Sequence, residues 1–99
     1  MNYHVRYSEV AKDDLNRLFD FLSEQDLQAA INARKTIDEG VGLLRHFPFT
    51  CRKATPENSL LRELIITFGG GGYVALFEIE DNHFVTILAV RHQREYDYH

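Results

Sequence analysis

The spacing of apolar residues changes along the chain and predicts different elements. Residues 3–7 alternate between bulky and polar side chains, which is typical of a half-buried β-strand. Apolar residues then recur every three or four positions over residues 9–24, and this spacing resumes after Asp26 and continues to about Arg45. It predicts two amphipathic helices, with Ser8 and Asp26 as N-caps.

The second half of the chain is typical of strands. Residues 48–59 contain two prolines and no periodic apolar pattern, which indicates an irregular segment. Three apolar runs follow, at residues 60–68, 73–79 and 84–90. The four glycines of residues 69–72 join the first pair of runs and the polar residues 80–83 join the second, so we predict a three-stranded antiparallel meander.

These elements predict an α+β fold in one domain covering residues 1–99. The link between the two helices is too short for anything but an antiparallel hairpin. A single strand, a helical hairpin and a meander must bury their apolar faces against one another. The economical arrangement for ~100 residues lays both helices on one face of an antiparallel sheet.

Composition narrows the classes of protein further. The chain has 99 residues and a net charge of −4, which disfavours a protein that binds chiefly to phosphates. No apolar run reaches the ~18–20 residues of a membrane helix, and the first residues do not resemble a secretory signal. A single cysteine, Cys51, cannot form an internal disulfide and fits a reducing compartment. We therefore predict a cytoplasmic protein with no membrane partner.

Two features that often bind ligands do not predict a site here. The glycines at 69–72 are followed by an apolar strand and not by the Lys-Ser/Thr and helix of a phosphate-binding loop. The five histidines lack the close Cys or carboxylate neighbours of a zinc site. The sequence therefore predicts no metal and no cofactor, and we interpret Cys51 as an inert residue.

The cations of the second half are the remaining candidates for chemistry. Arg62 shares its strand phase with apolar residues, which predicts either an internal ion pair or a site for an anion or partner. Arg91, His92, Arg94 and Tyr98 follow the last strand. Arginine for phosphate, histidine for proton transfer and tyrosine for stacking would make an RNA-cleaving set. The alternative, a solvated chain end with local salt bridges, is favoured by composition.

Three segments together resemble the RelE/ParE superfamily of bacterial type II toxin–antitoxin modules. Residues 61–65, Leu-Arg-Glu-Leu-Ile, are similar to the Arg-Glu-Leu strand of that superfamily. Residues 87–95 resemble the closing Val-Arg-His-x-Arg block of its ParE branch, and residues 46–48 match the His-x-Pro that ends the second helix. The β-α-α-β-β-β order of elements resembles the superfamily as well, so the likeness covers almost the whole chain.

This resemblance implies a growth-inhibiting toxin. RelE-like members are ribosome-dependent mRNA endonucleases, whereas ParE-like members inhibit DNA gyrase and lack a defined nuclease site. The net charge of −4 disfavours docking among ribosomal phosphates, so we expect gyrase as the target, bound through Arg62, Arg91, His92 and Arg94. The alternatives are an mRNA endonuclease that uses candidates from this set and Tyr98, or a degenerate toxin that acts only in operon repression.

The resemblance also implies a cognate antitoxin, ParD-like or other, which folds on its toxin and keeps it inactive. Such a segment requires apolar anchors on the toxin, and the candidates are Phe19, Leu22, Phe47 and Phe49. Operator DNA would be contacted only through the antitoxin, and no small-molecule substrate is expected.

Overall fold

The computed structural model describes residues 2–81 and 83–95. Two short 3₁₀ turns, Leu43–Arg45 and Pro48–Thr50, connect the helices to the later strands. The chain forms, in order, β1 (His4–Tyr7), α1 (Glu9–Ser23), α2 (Leu27–Gly42), β2 (Arg52–Thr55), β3 (Asn58–Phe68), β4 (Gly71–Ile79) and β5 (Phe84–His92).

The two helices begin where the sequence predicts them. The Ser8 hydroxyl accepts a hydrogen bond from the Ala11 amide at 3.1 Å, and the Asp26 carboxylate accepts one from the Ala29 amide at the same distance. Each cap satisfies one of the amides that a helix leaves unpaired at its first turn. Both predicted N-caps are therefore confirmed.

The five strands form one sheet in the order β1-β5-β4-β3-β2. β1 lies parallel to β5, and all the other neighbours are antiparallel. The sheet is therefore mixed, and the expectation of a fully antiparallel sheet is wrong at β1, which the chain reaches through the helical hairpin and not through a tight turn. The predicted α+β fold, with a strand, a helical hairpin and an antiparallel meander, is confirmed. The structure adds β2, which pairs with β3, inside the segment predicted to be irregular. This edge strand is mostly exposed, so its sequence carries no apolar pattern to predict it.

Both helices pack on one face of the sheet, where the core lies. α1 contacts β5 and α2 contacts β3. In the described part of the chain no helix covers the opposite face, which we call the open face. Neither helix is long and apolar enough to span a membrane. The core side chains come from both helices, the first 3₁₀ turn and the three central strands: Ala11, Leu15, Ala33, Ile37, Val41, Leu44, Ile66, Tyr73, Ala75, Phe77, Ile79, Val85, Ile87 and Val90.

A hydrogen bond between Tyr7 and Asp38 links β1 to α2. The Tyr7 hydroxyl donates to the Asp38 carboxylate at 3.1 Å, and Arg34 donates to the same oxygen at 3.3 Å. Burial, followed by the negative charge of Asp38, raises the pKa of the Tyr7 hydroxyl from 10.0 to about 12. The folded protein therefore favours the neutral phenol more strongly than the unfolded chain does.

We expect this contact to make folding stability fall in strong alkali. The stabilisation is complete below pH 10.0 and is lost as the pH rises toward about 12, because the unfolded chain releases the phenolic proton first. Urea unfolding of the wild type and of Tyr7→Phe across this interval measures the effect. The wild type should lose free energy of unfolding relative to the variant, and parallel curves would contradict the assignment.

Candidate functional site

Arg91 and His92, at the end of β5, lie on opposite faces of the sheet. His92 pairs with Tyr73 of β4 on the helix-covered face, and their rings meet edge-on with centroids 5.6 Å apart. Arg91 pairs with Val74, which in turn pairs with Ile65 of β3. Since successive residues of a strand alternate between faces, Arg91 faces the open side.

Arg91 contributes to a shallow depression on the open face, with a volume of about 290 Å³. Its lining consists of Arg52, Ile65, Val74, Arg91 and Gln93. Arg52 also donates to the carboxylate of Glu63 at 3.0 Å. Two guanidinium groups around an apolar floor suit a partner surface that offers both carboxylates and apolar side chains.

The Arg91 side chain also holds the turn that follows β5. Its Nη1 atom donates to the carbonyl oxygen of Glu95 at 2.8 Å and to that of His92 at 3.3 Å. The Gln93 amide donates to the carbonyl of Gly72 at 2.9 Å, which fixes the turn against the start of β4. Arg91 is therefore a positioning residue for this turn as well as part of the depression.

The His92 ring is also held in place. Its Nδ1 atom accepts a hydrogen bond from the Arg94 amide at 3.1 Å, so in the neutral ring the proton resides on Nε2. Its Cε1 atom lies 3.4 Å from the position that a Cβ would take at Gly71. A proton-transfer role would thus fall to Nε2 on the helix-covered face, away from the Arg91 guanidinium.

A polar network braces this end of the sheet against α1. Asp14 is 5% exposed, and its Oδ2 atom accepts from the Val90 amide at 2.9 Å. Arg17 contacts the other oxygen of Asp14 at 3.7 Å and the Glu95 carboxylate at 3.2 Å. Glu95 in turn accepts from the His92 amide at 3.2 Å. The C-terminal turn is therefore tied to α1 through side chains.

Arg62 lies elsewhere and supports the backbone of a neighbouring segment. Its Nη1 atom donates to the carbonyl oxygens of Cys51 at 2.8 Å and Phe49 at 3.0 Å, and its Nε donates to that of Ser59 at 2.8 Å. The guanidinium carbon also lies 5.3 Å from the centre of the Phe49 ring. Of the two interpretations offered for Arg62, the internal one fits this geometry, with carbonyl oxygens in place of the expected carboxylate.

We expect Arg62→Ala to lower the free energy of unfolding by about 2 kcal/mol, because hydrogen bonds from a charged donor stabilise by about that amount. Arg62→Lys should recover only part of the loss, since an ammonium cannot reproduce the guanidinium fork. Lys53→Ala, the exposed neighbour opposite Arg62 on β2, is the control. Urea unfolding would contradict this role if Arg62→Ala matched the control.

The candidate cations do not converge at one place. Arg62 lies opposite Phe77, whereas His92 lies opposite Tyr73 of the same strand. Four residues of strand place them about 13 Å apart along the sheet, with two strand spacings across it. The exposed Arg94 lies in the turn beside His92, and the candidate Tyr98 is outside the described residues.

The candidate antitoxin anchors fall into two groups. Phe19 and Leu22 are half-buried and line a narrow crevice between α1 and α2. Phe47 and Phe49 are 60% and 51% exposed beside the second 3₁₀ turn. Phe47 and Phe49 therefore offer more apolar surface to a partner than the first two residues.

Asp14 is the residue of this region that sequence reasoning missed. It occupies a position on the apolar stripe of α1, three residues after the buried Ala11 and one before Leu15. A carboxylate at such a position needs a buried hydrogen-bond donor. An acidic residue on an otherwise apolar helix stripe was therefore the sequence signal that could have identified it.

Within residues 2–81 and 83–95, no group of three or more histidine, cysteine or carboxylate side chains is arranged to hold a metal ion. Cys51 is half-buried, and burial raises the pKa of its thiol. A raised pKa lowers the thiolate fraction, and hence the reactivity, at neutral pH.

A strand, a helical hairpin and an antiparallel meander, in this order, are the elements that the resemblance to the RelE/ParE superfamily implied. A model of the family described as the ParE toxin of the type II toxin–antitoxin system parDE matches residues 5–96. The chain belongs to this family. A comparison with curated proteins finds no match.

Two solved structures share the fold. A chain of the chromosomal ParDE toxin–antitoxin system from P. aeruginosa is 20% identical with a TM-score of 0.72, over 91% of this chain and 95% of that one. A chain of the RelBE2 toxin–antitoxin complex from Mycobacterium tuberculosis is 24% identical with a TM-score of 0.58, over 96% and 95%. Both neighbours come from toxin–antitoxin systems, and at these identities the likeness establishes a shared fold.

Proposed function

We propose that this ParE-family toxin inhibits growth by binding DNA gyrase, and that a cognate antitoxin neutralises it. The observation that carries the choice of target is the separation of the candidate nuclease residues. Arg91 and His92 lie on opposite faces of the sheet, and Arg62 lies opposite a different part of β4. A scissile phosphate needs its charge-stabilising and proton-transferring groups within hydrogen-bond reach of one point.

The charge of the chain supports the same choice. With a net charge of −4, the protein would be repelled by the phosphates that surround messenger RNA on the ribosome. A protein surface imposes no comparable penalty. In this proposal the end of β5 contacts gyrase through Arg91, His92 and Arg94, beside the depression on the open face, while Arg62 supports the fold.

Induction of the toxin alone in growing cells tests the proposed function. Gyrase inhibition should produce filamentous cells and a DNA-damage response within a generation, while protein synthesis continues at first. Co-expression of the antitoxin should prevent both effects. A matched strain that expresses an unfolded variant of the same chain controls for the burden of expression.

Other results would favour the alternatives. Immediate arrest of translation, with new 5′ ends on translated messages in primer extension, would identify an mRNA endonuclease. Normal growth on induction, at protein levels confirmed by blotting, would identify a degenerate toxin whose remaining role is operon repression with its antitoxin. Either result would overturn gyrase as the target.

A further inference from the structure

Four large apolar side chains are exposed around the segment that joins α2 to β3. Leu43 and Phe47 are each 60% exposed, Phe49 is 51% and Leu60 is 42%. Single exposed apolar residues are ordinary on protein surfaces, whereas a cluster of this kind marks a contact site. We call these four residues, with Arg45, Lys53 and Arg62, the basic apolar corner.

The contacts around these residues place them together. The Phe47 amide donates to the carbonyl of Leu43 at 3.1 Å, so these two residues lie one helical turn apart. The Phe49 ring lies beside the Arg62 guanidinium, and Leu60 is two residues before Arg62, on the same face of β3. The corner therefore follows the chain from the first 3₁₀ turn, through the second, to the start of β3.

Positive charge is concentrated at the same place. Residues 43–62 hold four of the eleven lysines and arginines of the chain but only one of its fifteen acidic residues, Glu57. Three of these four cations belong to the corner, whereas Arg52 faces the open side and pairs with Glu63. Lys53 faces the same side as Arg62 because the two are paired across β2 and β3. The three bonds of the Arg62 guanidinium described above go to carbonyl oxygens, which satisfy its donors without cancelling its charge.

We propose that the basic apolar corner binds an acidic segment of the antitoxin that carries apolar anchors. The complementarity is of two kinds: exposed aromatic and leucine side chains for the apolar anchors, and three cations in an otherwise acidic chain for the carboxylates. The inference deepens the antitoxin part of the proposed function and is independent of whether gyrase is the target.

The apolar character of the corner favours the antitoxin over the toxic target as its occupant. Exposed phenylalanines promote association and aggregation unless a partner covers them for most of the protein's lifetime. A toxin encounters its target only when released, whereas its antitoxin covers it continuously. The candidate target surface is also separate. Arg91 lies on the open face, and His92 lies opposite Tyr73, four residues along β4 from Phe77, the residue opposite Arg62.

Binding of the antitoxin encoded beside the toxin gene, purified at full length, tests this inference. Affinity is measured by titration calorimetry at about 50 mM and about 300 mM salt. The Debye length shortens over this range, so the contribution of exposed charges to binding is weaker at the higher salt. The charge variant is Arg45→Glu with Lys53→Glu, and its matched control is Lys12→Glu with Lys35→Glu, which changes net charge equally on the helices. The apolar variant is Leu43→Ser, matched by Leu27→Ser at the other end of α2, about 24 Å away.

Both corner variants should weaken antitoxin binding by about tenfold or more, whereas the controls stay within about threefold. The charge variant should also flatten the salt dependence. Circular dichroism and thermal unfolding establish that each variant is folded. Equal effects of the corner and control variants, or no effect of either, would overturn the proposal. If the toxin does not inhibit gyrase but binds its antitoxin through the corner, gyrase as the target is refuted and the corner as the antitoxin site is supported.

Discussion

Replacing Gly72 with alanine should lower the free energy of unfolding by about 3 kcal/mol, the largest loss expected from an alanine at any of the six glycines. A Cβ at Gly72 would lie 2.1 Å from the carbonyl oxygen of Ile66 and 3.0 Å from the side-chain amide of Gln93. Since the first of these atoms belongs to the backbone of β3, no rotamer change can relieve the overlap. The β3–β4 hairpin would have to separate locally.

Gly70→Ala is the matched control, two residues away in the same run of glycines. A Cβ at Gly70 meets no atom within 4 Å, and its φ is not among the positive values of the chain. This variant should be neutral or slightly stabilising, because alanine reduces the freedom of the unfolded chain. Urea unfolding compares the two variants. Equal free energies of unfolding would contradict the close approach between Gly72 and the Ile66 carbonyl oxygen.

Asp14→Ala should lower the free energy of unfolding by about 2–3 kcal/mol, because it leaves the buried Val90 amide without its acceptor. Val90 lies two residues after Leu88, which has no partner on β4 because the register of the β4–β5 pair shifts there. The Ser8 hydroxyl donates to the Leu88 carbonyl at 3.0 Å. Asp14 on α1 and Ser8, the N-cap of α1, thus bind the backbone amide of Val90 and the backbone carbonyl of Leu88 in β5.

Asp14→Asn distinguishes the hydrogen bond from the charge. An asparagine oxygen can still accept from Val90, so this variant should lose less stability than the alanine variant. Asp13→Ala, at the exposed neighbouring position, should lie within about 0.5 kcal/mol of the wild type. Hydrogen exchange at Val90 gives a local measurement, and unchanged protection of that amide in Asp14→Ala would contradict the assigned role.

The elements with strong apolar periodicity could be predicted from the sequence. Helical spacing and caps located both helices, and three apolar runs located the central strands. β2 could not be predicted, because its backbone is held by pairing with β3 and its side chains bury almost nothing. The roles of the four glycines were equally hidden: only Gly72 lies against the backbone of the opposing strand, and nothing in a run of identical residues reveals this.

Candidate site residues could be named from the sequence, but their geometry could not. Arg91 and His92 are adjacent in sequence, yet β-strand alternation places them on opposite faces. The partners of Arg62 are backbone carbonyls from a loop and a strand start, and a sequence pattern carries no information on such contacts. The net charge of −4 describes the chain as a whole and does not reveal that residues 43–62 carry a local excess of cations.

The central claim, that the toxin acts on gyrase, is tested most directly with purified components. Toxin free of antitoxin is incubated with gyrase, ATP and relaxed plasmid, and the products are separated in gels with and without prior protease treatment. We expect loss of supercoiling and accumulation of linear, cleaved plasmid, both abolished by stoichiometric antitoxin. Normal supercoiling at saturating toxin would contradict the account, provided that the same chain still arrests growth when it is expressed in cells.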